Sequence, residues 1–328
     1  MDLLEHIASA FLDFTNPKKR VFVGYLGLSL LIALLWLVVF RKSSFGDALR
    51  RIFDRRIFFS SSSLADYKIF LINRVFTFFI SPLLLTQVAI ATALYMMLIR
   101  VEVIPWGAFE NTSKTVVVVL FSLAMFVTDD FTKYLLHRWM HRFPVLWAIH
   151  KVHHSATTLT PVTVYRVHPL EGLLYATRST LAQGPVIGLF YYLFGENVDL
   201  LTIVGVNALV FFFHISGSNL RHSHINISYW PWIERVFISP AQHQLHHSVA
   251  QEHYDKNFGA ALAIWDWIFG SLHLSEDEDT ELNFGLDASE ASSAADLKTL
   301  YVGPVAEIWT CVTYPVRAII LRFKSQTN

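Results

Sequence analysis

The side chains equipped for chemistry in this chain are histidines, and they are crowded together. His137, His141, His150, His153 and His154 fall within one stretch, YLLHRWMHRFPVLWAIHKVHHS, and His243, His246 and His247 repeat its ending in SPAQHQLHHS. Fourteen of the fifteen histidines lie between residues 137 and 273. Both triads have the spacing H-x-x-H-H. On a helix, positions i, i+3 and i+4 share a face, so each triad is expected to aim three imidazoles at one point. His137 and His141, at i and i+4, follow the same logic. Packing does not ask for this repetition; binding a metal does. Eight ligands exceed the four that a zinc ion usually takes, so they suit two metals with open positions. Imidazole serves iron, copper, nickel and zinc alike, and spacing does not name the ion. The more isolated His168, His253 and His273 are read as structural.

Other chemistries fit less well. A zinc-dependent membrane hydrolase of the helical H-E-x-x-H type carries a carboxylate beside its first histidine as general base. Here the intervening pairs are Lys151-Val152 and Gln244-Leu245, with no acid. A metal transporter places its ligands at mid-membrane, whereas these sit at helix ends and in polar loops. Cys311 is the single cysteine, which excludes an internal disulfide, a cysteine-ligated cluster and a multi-thiolate zinc site. Lys+Arg and Asp+Glu balance at 26 each, and nothing points to a nucleic-acid partner.

The elements that must position these histidines are helices in a membrane. The 328 residues are 53% hydrophobic and only 16% charged, against about a quarter charged in a soluble domain, and the mean hydropathy is +0.42. Val21 to Phe40 carries no charge and is long enough to cross the hydrocarbon layer. Six basic residues follow between Arg41 and Arg56, which marks a cytoplasmic loop. Val75 to Ile99 and Thr115 to Leu136 read as further spans, with the loop 101–114 outside. The last two turns of the third span hold Asp129 and Asp130. Asp130, seven residues before His137, is expected to accept a hydrogen bond from the second ring nitrogen of a ligand; pairing with Lys133 or Arg138 is the plainer reading. Residues 172–194 and 200–213 read as a membrane hairpin with its tip, GENVD, outside. This topology puts every histidine cluster on the cytoplasmic face.

The expected architecture is therefore all-α: an integral membrane bundle of about four to five spans under a cytoplasmic-face, helical, histidine-rich metal cap, in a bacterial inner membrane or the endoplasmic reticulum. Residues 1–114 form an N-terminal transmembrane region. Residues 115–273 form the histidine-box domain with its hairpin; the stretch YDKNFGAALAIWDWIFGSLHL after the last box reads as a lid over the metals or as an ordinary buried helix. Residues 274–328 give an acidic linker, with eight acids and no base over 276–296, and a C-terminal helix that its prolines and charges make interfacial.

HRWMH, HKVHH and HQLHH, in this order after membrane spans, resemble the three histidine boxes of the fatty acid hydroxylase/sterol desaturase superfamily. The flanks D-F-x-x-Y, L-W-x-x-H-K-V-H-H-S, R-x-H-P-L-E, S-P-A-Q-H-Q-L-H-H-S and N-F-G…W-D-W-I-F-G agree. The resemblance covers about residues 115–272. It implies two iron ions, with zinc as a possible substitute, and O2 as co-substrate for oxidation of a lipid C–H bond. It implies ligand roles for His137, His141, His150, His153, His154, His243, His246 and His247. The family also uses histidines just before the last box, which here leaves His222 and His224 as the favoured candidates and His214 behind them. A membrane lipid is the implied substrate. Electrons would come from a separate donor of cytochrome b5-like or ferredoxin-like type, since the chain has no flavin, haem or nicotinamide motif.

Overall fold

The computed structural model describes residues 5, 11–17, 19–198, 218–275, 282–286 and 295–325, with side chains through Tyr314 in the last helix. Helices account for the regular structure, and among the described residues no strand forms beyond two isolated bridges, Phe237 with Leu262 and Ser248 with Phe284. The principal helices are α1 (Val23–Leu35, continued by a π turn to Phe40), α2 (Phe45–Ile52), α3 (Ser61–Ile80), α4 (Gln87–Val101), α5 (Lys114–Arg142), α6 (Pro144–His154), α7 (Pro169–Phe194), α8 (Pro240–His246) and α9 (Leu297–Ser325). Three stretches are long and apolar enough to cross a bilayer: Val23–Phe40, Ser61–Val101 and Lys114–Arg142. This is the make-up of an integral membrane protein.

Local sequence explains where the site-bearing helices begin. Proline stands in the first turn of α6, α7 and α8, where its missing N–H costs nothing. Ser239 adds a reciprocal capping box to α8, accepting from the Gln242 amide at 3.1 Å while Gln242 Oε1 accepts from the Ser239 amide at 3.0 Å. Ser113 caps α5, which runs unbroken through the first histidine box.

The membrane-level core is α4, α5 and α7. Gly188 lets α4 and α7 touch: a Cβ there would lie 2.5 Å from the Ala91 carbonyl oxygen, a contact no side chain tolerates. Phe121 and Phe190 meet edge to face at 5.4 Å across α5 and α7. The buried carboxylate at this level is paired. Asp129 accepts from Lys133 at 2.6 Å, Arg178 at 2.9 Å and Gln183 at 2.7 Å. The loop 101–114 meets the C-terminal end of α7, with the Gly107 amide donating to the Tyr192 carbonyl at 2.9 Å and the Phe109 amide to the Leu193 carbonyl at 2.9 Å. The second arm of the expected hairpin, 200–213, lies outside the described residues.

At the other end the histidine loops are clamped by α3 and α9. Ile69 of α3, Val152 of α6 and Leu300 of α9 form one buried cluster, and Lys151 pairs with Glu307 at 2.7 Å. Helix α1 leans on residues 218–227 over its length. Arg20 before it bonds Asn219 and the Ser218 carbonyl, and Ala33 and Leu37 near its end share a core with Leu220, Ile225 and Ile227.

Candidate metal centre

Nine histidines converge in two groups. His137, His141, His150, His154 and His246 form one; His153, His222, His243 and His247 form the other. Within each group the ring nitrogens on offer lie within 4.8 Å of one another. Helix α5 supplies His137 and His141, α6 supplies His150, His153 and His154, and α8 with its C-cap supplies His243, His246 and His247. His222 comes from a 3-10 turn, Ser218–His222.

The expectation that each triad converges on one point does not hold. In α6 the i and i+4 residues, His150 and His154, join the first group and the i+3 residue, His153, joins the second. Around α8 the assignment is reversed: His243 and His247 join the second group and His246 the first. Helix geometry gives the reason. Successive residues are about 100° apart, so the adjacent pair His153-His154 cannot point at one ion, nor can His246-His247. The groups abut where these pairs meet, with ring centroids of His154 and His247 4.5 Å apart and those of His246 and His247 5.5 Å apart.

The chemistry of the donors fits metal binding. In the first group all five Nε2 atoms are buried without a hydrogen-bond partner. Leaving five such groups unpaired would cost several kcal/mol in total, and a shared cation removes that cost. On three of these rings the opposite nitrogen is occupied. His137 Nδ1 faces the Phe258 carbonyl at 2.8 Å, His246 Nδ1 the Lys256 carbonyl at 2.7 Å, and His150 Nδ1 the Glu171 carboxylate at 2.8 Å. Such partners fix the tautomer with Nδ1–H outward and the Nε2 lone pair inward. In the second group His153 Nδ1 faces the Arg166 carbonyl at 3.3 Å, while His222 Nε2 lies 3.1 Å from His153 Nε2 and 3.0 Å from His243 Nε2. One ring proton cannot serve both contacts, whereas three lone pairs around a cation need none.

Burial also keeps these rings neutral, the state in which imidazole binds a metal. His150, His154, His222, His243, His246 and His247 are held well below the ordinary histidine range, first by desolvation and then by neighbouring rings or cations. His153 is lowered to about 3, chiefly by burial.

Other candidates stand elsewhere. His224 faces away from both groups, its Nε2 2.7 Å from the Arg51 carbonyl and its ring edge-on to Phe58; two residues beyond His222, it cannot share that direction. His214 lies outside the described residues. Asp130 does not touch a histidine, nor does it pair with Lys133 or Arg138. Its carboxylate accepts from the Ala261 amide at 2.7 Å, the Leu262 amide at 3.2 Å and Trp265 Nε1 at 2.9 Å, so it tethers the segment that follows the third box. That segment packs on the site as a lid: the Phe258 ring lies 5.1 Å from His141 and 5.7 Å from both His137 and His246. Asp266 organises its turn, accepting from the Phe258 and Gly259 amides and Ser271 Oγ, and burial raises its pKa to about 6. His168 caps α7, and His253 and His273 contact each other at 5.4 Å.

Sequence reasoning passed over Glu171, which is 2% exposed and orients His150. The signal was present: a carboxylate in the first turn of an apolar helix, where its burial demands a partner. A second opening exists on the polar side of the first group, a cavity of about 280 Å3 bounded by His141, His154, His246, Trp147 and Tyr254.

Comparison with known proteins converges on the same stretch. Residues 122–271 match the fatty acid hydroxylase family. The ornithine lipid hydroxylase OlsE of Rhizobium tropici is 29% identical over 147 residues, 45% of this chain and 40% of that protein. Human alkylglycerol monooxygenase is 27% identical over 161 residues, 49% of this chain and 32% of that protein. The Delta(7)-sterol 5(6)-desaturase of Eremothecium gossypii is 28% identical over 182 residues, 55% of this chain and 45% of that protein. The chain thus spans less than half the length of each of these relatives. No solved structure matches it.

Proposed function

We propose that the chain, whose residues 122–271 match the fatty acid hydroxylase family, is a membrane-bound oxidoreductase of the fatty acid hydroxylase/sterol desaturase superfamily that hydroxylates or desaturates a lipid at an unactivated C–H bond. The observation that carries the reading is the pair of abutting all-nitrogen groups, nine imidazoles, five of which present buried, unpartnered Nε2 atoms to one another. Two iron ions held there, five nitrogens to one and four to the other, would supply O2 activation and hydrogen-atom abstraction, with electrons from a separate donor protein. Neither group includes a carboxylate, so no built-in base stands ready for hydrolysis, which favours redox chemistry.

The protein's own residues set the conditions for that chemistry. Glu171 and the carbonyls of Phe258, Lys256 and Arg166 hold the rings in one tautomer and one orientation. Phe258 packs over His137, His141 and His246 and limits water on that side of the first group. The apolar helices below would deliver a substrate from the bilayer, and the six basic residues between Arg41 and Arg56 support a cytoplasmic histidine face.

Metal analysis of the detergent-purified protein tests the reading directly. Two irons per chain that cycle between dithionite and O2, with a lipid product detected by mass spectrometry, are the expected result. Redox-silent metal after iron reconstitution, or full turnover in both His153→Ala and His246→Ala, would rule it out.

A further inference from the structure

Away from the histidines, a cavity of about 410 Å3 opens between the second half of α3 and the start of α7. It falls within the size range of ligand pockets, ~300 to 1,000 Å3. Its lining changes character along α3. Arg74, ion-paired with Asp13, and Lys19 bring two cations and one anion to the wall. Six residues further along the helix, about 9 Å, the wall has become Ile80, continuing to Leu84 and facing Leu173 of α7. The neighbouring Phe79, Leu83 and Leu85 are 60%, 83% and 56% exposed, so the rim at the apolar end faces hydrocarbon.

Gly172 supplies a second observation. It stands in the first turns of α7 and lines the cavity, and a Cβ built on it meets no atom within 4 Å. Glycine is a poor helix former compared with alanine, and neither a turn nor a close backbone approach requires it here. What its missing side chain preserves is the open space.

We propose that this cavity binds a membrane lipid with an anionic head group. The head group rests against Lys19 and the Arg74–Asp13 pair, and one acyl chain lies along Ile80, Leu84 and Leu173. The net positive charge at one end, the apolar wall at the other and the hydrocarbon-facing rim select an anionic amphiphile over a soluble anion or a protein segment. The cavity wall includes Tyr165 and Val167, which flank the residue whose carbonyl faces His153. The inference deepens the lipid-oxidation reading, and its test reads binding rather than turnover, so the two can fail separately.

The test uses the full chain, as purified, in nanodiscs containing phosphatidylglycerol with a diazirine on one acyl chain, or the matching phosphatidylcholine. Crosslinked peptides are mapped by mass spectrometry. The expected result is labelling concentrated in 70–84 and 169–176 and stronger for phosphatidylglycerol. Gly172→Leu should lower it by on the order of tenfold, the loss of ~1.4 kcal/mol of binding. Gly172→Ala, a control for helix integrity, should label like the wild type. Lys19→Glu should abolish the preference for the anionic lipid. Labelling spread over the outer faces of α4 and α5, unchanged in Gly172→Leu, or indifference to the head group in the wild type, overturns the proposal. A labelled cavity without lipid oxidation leaves this site standing and refutes the oxygenase; oxidation with no label in the cavity does the reverse.

Discussion

Replacing Asp66 by Asn should destabilise the protein and loosen the second histidine group. Asp66 and Arg166 both have side chains 0% exposed, 2.8 Å apart. Arg166 also donates to the Val152 carbonyl at 3.0 Å, to Ser155 Oγ at 3.0 and 2.9 Å and to the Ser62 carbonyl at 3.3 Å. It therefore ties the end of α6 to α3, and its own carbonyl faces His153. Removing one partner of a buried ion pair costs about 3–5 kcal/mol, because the remaining charge stays desolvated. Asn retains an acceptor for the guanidinium and a polar partner for Thr163, which holds 2.7 Å contact with Asp66, so the lower end, ~3 kcal/mol, is expected. That is about a hundredfold in the folded-to-unfolded ratio. Denaturant unfolding in detergent, followed by tryptophan fluorescence, measures the loss; metal content after dialysis measures the effect on the site. The double variant Asp66→Leu/Arg166→Met removes both charges and should recover most of the stability. A loss under ~1 kcal/mol in Asp66→Asn would mean that water reaches the guanidinium, and the reasoning would fail.

Three further outcomes can be checked. Glu171→Gln keeps an acceptor for His150 but removes its charge, and should weaken metal retention about 10- to 100-fold, read by competition with a chelator; unchanged retention would contradict the orienting role. The metal-free protein should lose stability as pH falls below ~6.5, because His153, with its pKa at about 3, stays neutral in the fold while an unfolded ring of pKa ~6.5 takes up a proton. The sign is that of stability present above the unfolded value and lost from there towards pH 3, at up to ~1.4 kcal/mol per unit per ring, with the other depressed histidines adding in the same direction; a midpoint equal at pH 7.5 and 5.5 would refute it. Asp130→Asn should release the lid, costing about 1–3 kcal/mol for its weakened amide and indole contacts and shifting Trp265 emission to the red, and an unchanged emission would show that the tether is dispensable.

Much of the site was legible because histidine has few other reasons to recur at helical spacing. The three boxes and His222 reach the two groups, and the third box is followed by the lid that its aromatic and glycine pattern suggested. Two matters were not legible. How the triads divide depends on how α6 and α8 face each other, which spacing within one helix does not encode. The target of Asp130 depends on where a segment some 130 residues later comes to rest, and helix periodicity placed it near His137 without revealing that the amides of Ala261 and Leu262 would reach it first. In the fold, hydropathy located the apolar helices, but that the loop 101–114 packs against the end of α7 was not read from it. The lie of α1 along residues 218–227 was hidden, since a uniformly apolar helix carries no stripe to say what it packs against.

The crossed allotment of the triads would give the two proposed metal positions a common fate. Each of α6 and the α8 region holds ligands for both, so neither position can be dismantled without disturbing the other. Withdrawal of an ion from the five-nitrogen group would free His150, His154 and His246, and with them the helix ends that aim His153, His243 and His247. Filling and emptying should then proceed as a single all-or-none event. In the cell this would favour chains carrying both ions or neither, and disfavour the half-filled state that could reduce O2 without a partner to direct it.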